Sequence, residues 1–251
     1  MLPQRSMKNT AIHGFVYEES LESANIAEND ANTSITVWRS PTQRARSGGD
    51  WCEIIKISPE IIALIIGDVE GHGKSVSPTK TRIRSEIIKL IKSEEMPSEI
   101  LSKLNTFIEN LHNSITATAL VAFYHLHNRT LTFANAGHPP PLLVDTEEFH
   151  FLAYSPADMP LGVMPQNDFK DHSVEVPLNA LVVFYTDGFT EQNRDVAQGE
   201  QELVEAVHQM RAHDSSQAAR TIAEQIFRDK PHLDDAALMV LCTKPNAQLI
   251  N

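Results

Sequence analysis

The chain has 251 residues, of which 41% are hydrophobic and 22% are charged, and this composition is typical of a globular protein rather than of a fibrous or disordered one. Its 21 basic and 33 acidic residues give a formal net charge of −12, and no cluster of Lys and Arg interrupts the acidic surplus. Nucleic-acid binding is therefore not expected, because it requires a basic surface that neutralises phosphates.

The sequence predicts a cytoplasmic protein with no membrane span. Apolar runs such as 61–66 and 181–185 are far shorter than the roughly 18 residues that a membrane span needs. Residues 1–10 are polar and lack the apolar stretch of a secretory signal. Cys52 and Cys242 lie in apolar, strand-like surroundings, and we predict that both are reduced core residues.

Strands are predicted to dominate the first third of the chain. They are expected at 12–17, 35–39, 51–57 and 61–67. The segment 18–33 is acidic and rich in Asn and Ser, and it reads as a loop or connector. A Pro-containing turn at 58–60 separates two runs rich in β-branched residues, which predicts a hairpin.

Two pairs of helices are predicted, each followed by strands. Apolar residues recur at helical spacing over 83–91, behind Pro78, and over 100–111, behind Pro97. Strands are then expected at 118–126, 130–134, 141–144, 149–152 and 181–185. Helical spacing returns over 203–210 and over 219–227, with Ser215 or Ser216 as the predicted cap of the second helix, and a strand is expected at 236–242.

This order predicts an α+β fold, a two-layer antiparallel β-sandwich flanked by pairs of helices, because the elements do not alternate as they do around a parallel sheet. The nearly continuous apolar runs at 61–66 and 181–185 should be central strands buried on both faces. No internal boundary is evident. We therefore expect one domain at 35–243, preceded by a strand and connector at 1–34 and followed by a tail at 244–251.

Acidic residues stand at the ends of four predicted strands. They are Asp50 before 51–57, Asp68 after 61–67, Asp187 after 181–186, and the pair Asp234 and Asp235 before 236–242. If these ends meet at one edge of the sandwich, the carboxylates cannot all stay ionised unless cations neutralise them. An oxygen-only donor set favours Mg²⁺ or Mn²⁺. Glycines beside Asp50, Asp68 and Asp187 allow carbonyls or a phosphate to approach closely.

Five motifs in order resemble those of the metal-dependent protein phosphatases (PPM family), and more narrowly those of the bacterial branch typified by the stage II sporulation protein E phosphatase domain. They are GGDW at 48–51, GDVEGHG at 67–73, TFANAGHPPPLL at 132–143, FYTDGFTE at 184–191 and DDAALMVL at 234–241. The resemblance runs from about 35 to 242. Any one motif would be weak, whereas the set in this order is specific.

The resemblance implies a centre of two Mn²⁺ or Mg²⁺ ions at one edge of the sandwich. Asp68 resembles the carboxylate that bridges both ions, and Val69 resembles the residue whose carbonyl binds one of them. Asp187 and Asp234 look like further ligands, with Asp235 ranked below Asp234, and Asp50 resembles the acid that holds metal-bound water. In such a centre the metals generate hydroxide for attack on phosphorus, so no protein nucleophile is needed.

Other residues are candidates for contacts with the substrate. His72 lies where relatives have been assigned a general acid, and a structural or water-ordering role is the alternative. Arg39, Arg44 and Arg46 are candidates for binding the substrate phosphate, and solvated loop charges are the alternative. We expect Asp50, Asp68 and His72 to be catalytic, and Arg44 and Arg46 to bind phosphate.

The segment 74–80 departs from the family pattern. It is polar and contains Pro78, whereas relatives commonly have small apolar residues there. In that branch the helices after the glycine-rich loop are thought to switch between active and inactive packing, so this departure bears on regulation and on metal affinity.

The predicted substrate is phosphoserine or phosphothreonine on a partner-switching regulatory protein, such as an anti-sigma-factor antagonist or a scaffold of a stress-signalling complex. Two alternatives stay open: a phosphatase-like module that binds a partner without turnover, and a two-metal hydrolase of small phosphoesters. The oligomeric state is also open, with a homodimer as one option.

Overall fold

A computed structural model describes residues 25–26, 33–40, 49–70, 76–93, 96–111, 115–146, 148–153, 158–165, 167–191, 195–210, 215–228 and 235–244. The described residues form two antiparallel β-sheets and four helices, which confirms the predicted fold class. Among them, no helix is long and apolar enough to cross a membrane.

One sheet has six strands in the order β1-β2-β11-β10-β7-β8. These strands are β1 (Asn25–Ile26), β2 (Thr33–Ser40), β7 (Leu142–Val144), β8 (Phe149–Phe151), β10 (Leu181–Tyr185) and β11 (Ala236–Thr243). Strand β11 is buried along its whole length between β2 and β10. The sheet therefore joins two parts of the chain that are about 200 residues apart in sequence.

The other sheet has five strands in the order β3-β4-β5-β6-β9. These strands are β3 (Trp51–Ser58), β4 (Ile61–Val69), β5 (Ala117–His125), β6 (Thr130–Ala136) and β9 (His172–Glu175). Strands β3 and β4 form the predicted hairpin. Strands β3, β4, β5 and β6 pair in chain order, and β6 also pairs with β9.

The two sheets pack face to face, and a pair of helices covers each outer face. Helices α1 (Val76–Ile91) and α2 (Pro97–Glu109) pack on the five-stranded sheet, and α3 (Val196–Met210) and α4 (Ala218–Ile226) pack on the six-stranded sheet. The side chains of β4 and β10 alternate between the central core and a helix-facing core, so both strands are buried on both faces as predicted.

The structure differs from the sequence prediction at three elements. Strand β9 was not predicted, because its sequence HSVE has exposed polar residues at alternate positions and carries almost no hydrophobic pattern. The short strand β1 lies within the segment 18–33 that reads as a connector. Helix α4 begins after a 3-10 turn at Ser215–Gln217, and its cap residue is Gln217, which makes no side-chain capping bond.

The two cysteines are buried and free, as predicted. Burial raises the pKa of Cys52 to about 11 and that of Cys242 to about 12, so both thiols stay protonated at neutral pH. Neither has the properties of a reactive thiolate.

The predicted strand at 12–17 lies outside the described residues.

Candidate metal centre

The β3–β4 hairpin brings Asp50 and Asp68 together. Trp51 pairs with Gly67 in the antiparallel register, and the amide of Val69 donates to the carbonyl of Gly49 at 3.4 Å. The residue before β3 therefore lies opposite the penultimate residue of β4. Two acids that are 18 positions apart in sequence become cross-strand neighbours.

Gly49 leaves room for two oxygen atoms beside this pair. A Cβ atom placed on Gly49 would lie 2.0 Å from Oδ1 of Asp68 and 2.4 Å from the carbonyl oxygen of Val69. Both oxygens thus point toward the same small space, which only a residue without a side chain leaves open. A carboxylate and a carbonyl oxygen that converge in this way are the donor types that Mg²⁺ and Mn²⁺ prefer.

The β10–β11 pair supplies the second half of the site. Tyr185 pairs with Leu238, and the amide of Thr186 donates to the carbonyl of Ala237 at 3.0 Å, so Asp187 and Asp235 lie beyond the paired ends of the two strands. A Cβ atom on Gly188 would lie 2.0 Å from the carbonyl oxygen of Asp235. The backbones after β10 and before β11 are therefore in close contact at this edge.

Two hydrogen bonds join the halves across the sandwich. The hydroxyl of Thr186 donates to Oδ2 of Asp50 at 2.6 Å, and the amide of Gly49 donates to Oδ2 of Asp235 at 3.1 Å. The Thr186 hydroxyl is itself held, because it accepts a hydrogen bond from the amide of Ala237 at 2.9 Å. Acids from both sheets are thereby fixed at one edge, as the sequence predicts.

The charges at this edge are crowded. Burial raises the pKa of Asp50 well above its usual range, the nearby carboxylates of Asp68, Asp187 and Asp235 raise it further, and the hydrogen bond from Thr186 opposes the shift. Among the described residues, no three His, Cys, Asp or Glu side chains form a complete metal-binding group. The described acids are therefore close enough for their charges to interact, and their roles as metal ligands stay predictions.

Lys80 is a cation at this edge that the sequence analysis did not single out. Its Nζ donates to the backbone carbonyl of Asp50 at 3.3 Å, from the second turn of α1. Burial lowers the pKa of Lys80, and the carboxylates of Asp235, Asp50 and Asp68 act in the opposite direction. The ammonium group therefore lies within the field of the acids.

His138, in the TFANAGHPPPLL motif, contacts the strand that pairs with the Asp68 segment. Its Nδ1 lies 2.9 Å from the hydroxyl of Thr118, the cross-strand partner of Asp68. The side chain of Asn135 bonds both the amide and the carbonyl of His138 and closes the turn through Gly137, whose φ is 67°. Burial lowers the pKa of His138 to about 3, so the ring is neutral, in line with a structural role.

Several predicted site residues lie outside the described residues. They are His72, Asp234, Arg44 and Arg46. Arg39 is described, and it is exposed near the end of β2 opposite Ala237, the residue that hydrogen bonds with Thr186. Its charge acts on Lys80 and on Cys52, which places it near the acid edge.

Solved structures of other proteins share this architecture. The RsbU and RsbW domains of Rv1364c from Mycobacterium tuberculosis match with a TM-score of 0.76 and 23% identity, over 85% of this chain and 60% of that one. RsbX, solved in complex with magnesium, matches with a TM-score of 0.66 and 17% identity, over 89% of this chain and 100% of that one. At these identities the likeness shows the fold.

Sequence comparisons identify the family. Phosphoserine phosphatase RsbU of Bacillus subtilis (strain 168) is 27% identical over 144 residues, which are 57% of this chain and 43% of RsbU. The chain thus matches less than half the length of this curated relative. The family described as stage II sporulation protein E (SpoIIE) matches residues 58–244, most of the chain. The chain therefore belongs to the SpoIIE family, the branch of the PPM phosphatases whose motifs it carries.

Proposed function

We propose that the protein is a metal-dependent phosphatase that hydrolyses phosphoserine or phosphothreonine on a regulatory protein of a partner-switching system. An anti-sigma-factor antagonist or a scaffold of a stress-signalling complex is the expected kind of substrate. The observation that carries the proposal is the meeting of Asp50 and Asp68 from one sheet with Asp187 and Asp235 from the other. Acids that repel one another destabilise a protein, and a protein that only binds a partner gains nothing in return.

The proposed donor set would hold two Mn²⁺ or Mg²⁺ ions. Asp68 and the carbonyl of Val69 converge on the space beside Gly49, and Asp50, Asp187 and Asp234 are the proposed further ligands. When bound, the metal supplies an activated water molecule and neutralises charge on the phosphoryl oxygens. The magnesium bound to RsbX supports this assignment of metal type.

The residues around the acids hold them in place. The Thr186 hydroxyl holds Oδ2 of Asp50, and Oδ2 of Asp235 accepts the amide of Gly49, which ties the segment before β3 to the start of β11. Asp235 thus has a structural role at this edge, and Asp234 is the proposed ligand. Arg44 and Arg46 are the proposed phosphate-binding residues, and His72 is the proposed general acid.

The substrate class rests on the relatives. RsbU is named a phosphoserine phosphatase, and the matched region covers less than half of RsbU, so its activity is carried to this chain as part of the proposal. The net charge of −12 gives no reason to expect a nucleic acid as the substrate.

Two assays test the proposal. The full chain should hydrolyse p-nitrophenyl phosphate with Mn²⁺ and lose this activity in excess EDTA. It should hydrolyse a phosphorylated anti-sigma-factor antagonist with a higher kcat/KM than a generic phosphopeptide. Binding of the phosphoprotein without release of phosphate would favour the binding module, and a preference for small phosphoesters over the phosphoprotein would favour the second alternative.

Gly49→Ala tests the space beside Asp68. The added methyl group meets the Asp68 carboxylate and the backbone of Val69, and the backbone cannot move away cheaply. We expect the substitution to reduce the free energy of unfolding by about 2 kcal/mol and to weaken Mn²⁺ binding, measured by thermal denaturation and isothermal titration calorimetry.

Gly162→Ala is the matched control. A Cβ atom there would lie 2.2 Å from the carbonyl oxygen of Ile115, and its φ is 80°, so this variant should also lose stability. Its Mn²⁺ affinity should stay that of the wild type. Unchanged Mn²⁺ affinity in Gly49→Ala would contradict the assignment of this space to the metal.

A further inference from the structure

Two cationic side chains of helix α1, one helical turn apart, bind β3 and the residue before it. Lys80 reaches the backbone carbonyl of Asp50, and Arg84 bonds both carboxylate oxygens of Glu53, with Nη2 to Oε2 at 3.2 Å. Residues four apart share one face of a helix. Ile83 and Ile87 on the neighbouring stripe are fully buried against the sheet. A well-packed helix therefore places Lys80 next to the acids.

The ammonium group lies in the same carboxylate field that is proposed to bind metal. Asp235, Asp50 and Asp68 all attract it, and they come from both sheets. In a half-buried site these attractions are stronger than in bulk water, because the effective dielectric constant is lower. One positive charge offsets part of the repulsion among the acids.

We propose that Lys80 is a built-in counter-ion of the acid cluster, which stabilises the metal-free protein and which a divalent cation must outcompete. Lys80 lies within the segment 74–80, where the sequence is polar although relatives commonly have small apolar residues. This role rests on the proposed metal centre, and it makes α1 a determinant of metal affinity.

Lys80→Met tests this role, since Met has a similar length and no charge. In excess EDTA, the melting temperature of the variant should fall by about 3 °C, because the acids lose their counter-ion. With Mn²⁺, calorimetric titration should give a Kd about tenfold lower than that of the wild type, because the metal no longer competes with the ammonium group. Lys80→Arg keeps the charge and should retain a Kd close to that of the wild type.

Lys89→Met is the matched control. Lys89 lies in the last turn of the same helix, its side chain is 74% exposed, and it pairs with Glu86, so the substitution changes the net charge equally without touching the acids. Its Mn²⁺ affinity should not change. Equal Mn²⁺ affinity in wild type and Lys80→Met would overturn the inference and leave the metal centre intact.

Two further outcomes would also overturn the inference. Weaker Mn²⁺ binding in Lys80→Met would show that Lys80 supports metal binding. An unchanged Mn²⁺ Kd with a raised KM for p-nitrophenyl phosphate would show that Lys80 binds the substrate phosphate instead.

If neither protein binds Mn²⁺, the metal centre itself is wrong. A metal-saturated but inactive wild type would refute the proposed function alone.

Discussion

Asp68→Asn is expected to reduce kcat/KM for p-nitrophenyl phosphate by about a thousandfold or more, which corresponds to about 4 kcal/mol of transition-state stabilisation. Asp68 is the carboxylate that shares the space beside Gly49 with the Val69 carbonyl, so an amide in its place removes the negative charge that this residue would supply to a bound metal ion. The measurement is steady-state kinetics at saturating Mn²⁺, together with calorimetric titration of the metal.

The loss should not come from unfolding. Asp68 is the charge that raises the pKa of Asp50 most, so the amide relieves like-charge repulsion in the metal-free protein. We expect Asp68→Asn in EDTA to melt at a temperature no lower than that of the wild type. Asp168→Asn is the control, since Asp168 is exposed and pairs with Lys170 on the surface, and its activity should be unchanged. Wild-type kcat/KM in Asp68→Asn would refute the proposed centre.

Arg84→Met is expected to lower the free energy of unfolding by about 3 kcal/mol. The side chain of Glu53 is fully buried within β3, and the substitution removes both hydrogen bonds that the guanidinium donates to it. A buried carboxylate that loses its cation costs more than the ion pair contributes when intact. Urea denaturation of the metal-free protein measures the change.

The double variant Glu53→Met with Arg84→Met should recover most of that loss, because it removes both charges together. Arg220→Met is the surface control: Arg220 pairs with Glu224 on the exposed side of α4, and this pair should contribute less than about 1 kcal/mol. A single Arg84→Met variant that is as stable as the double variant would show that Glu53 does not depend on this arginine.

Most of the fold could be predicted from the sequence because its central elements have strong hydrophobic patterns. The runs that form β4 and β10 are almost continuously apolar, and such runs are found in strands buried on both faces. Edge strands carry weaker patterns. Strand β9 pairs with β6 at the rim of its sheet, and half of its side chains are exposed, so its backbone pairing leaves little trace in the sequence.

The acids of the site could be predicted because they stand directly at the ends of strands. The residues that position them were harder to find. Thr186 holds Asp50 through a single hydroxyl group, and one Thr in a sequence gives no sign of such a contact. Lys80 reaches the site from a helix that is distant in sequence from β10 and β11. Glu53 did carry a sequence signal, since a buried acid in the middle of an apolar strand requires a cationic partner. That partner, Arg84, lies one helical turn from Lys80.

The pairing of β2 with β11 has a consequence for biosynthesis. Residues 33–40 are translated about 200 residues before their strand partner, residues 236–243. The β3–β4 hairpin can form as soon as it emerges, but the acids beside β10 and β11 cannot take their places until β11 has also emerged. A nascent chain stopped before residue 236 would expose the unpaired edges of two buried strands, so we expect such truncated products to require chaperones or to aggregate.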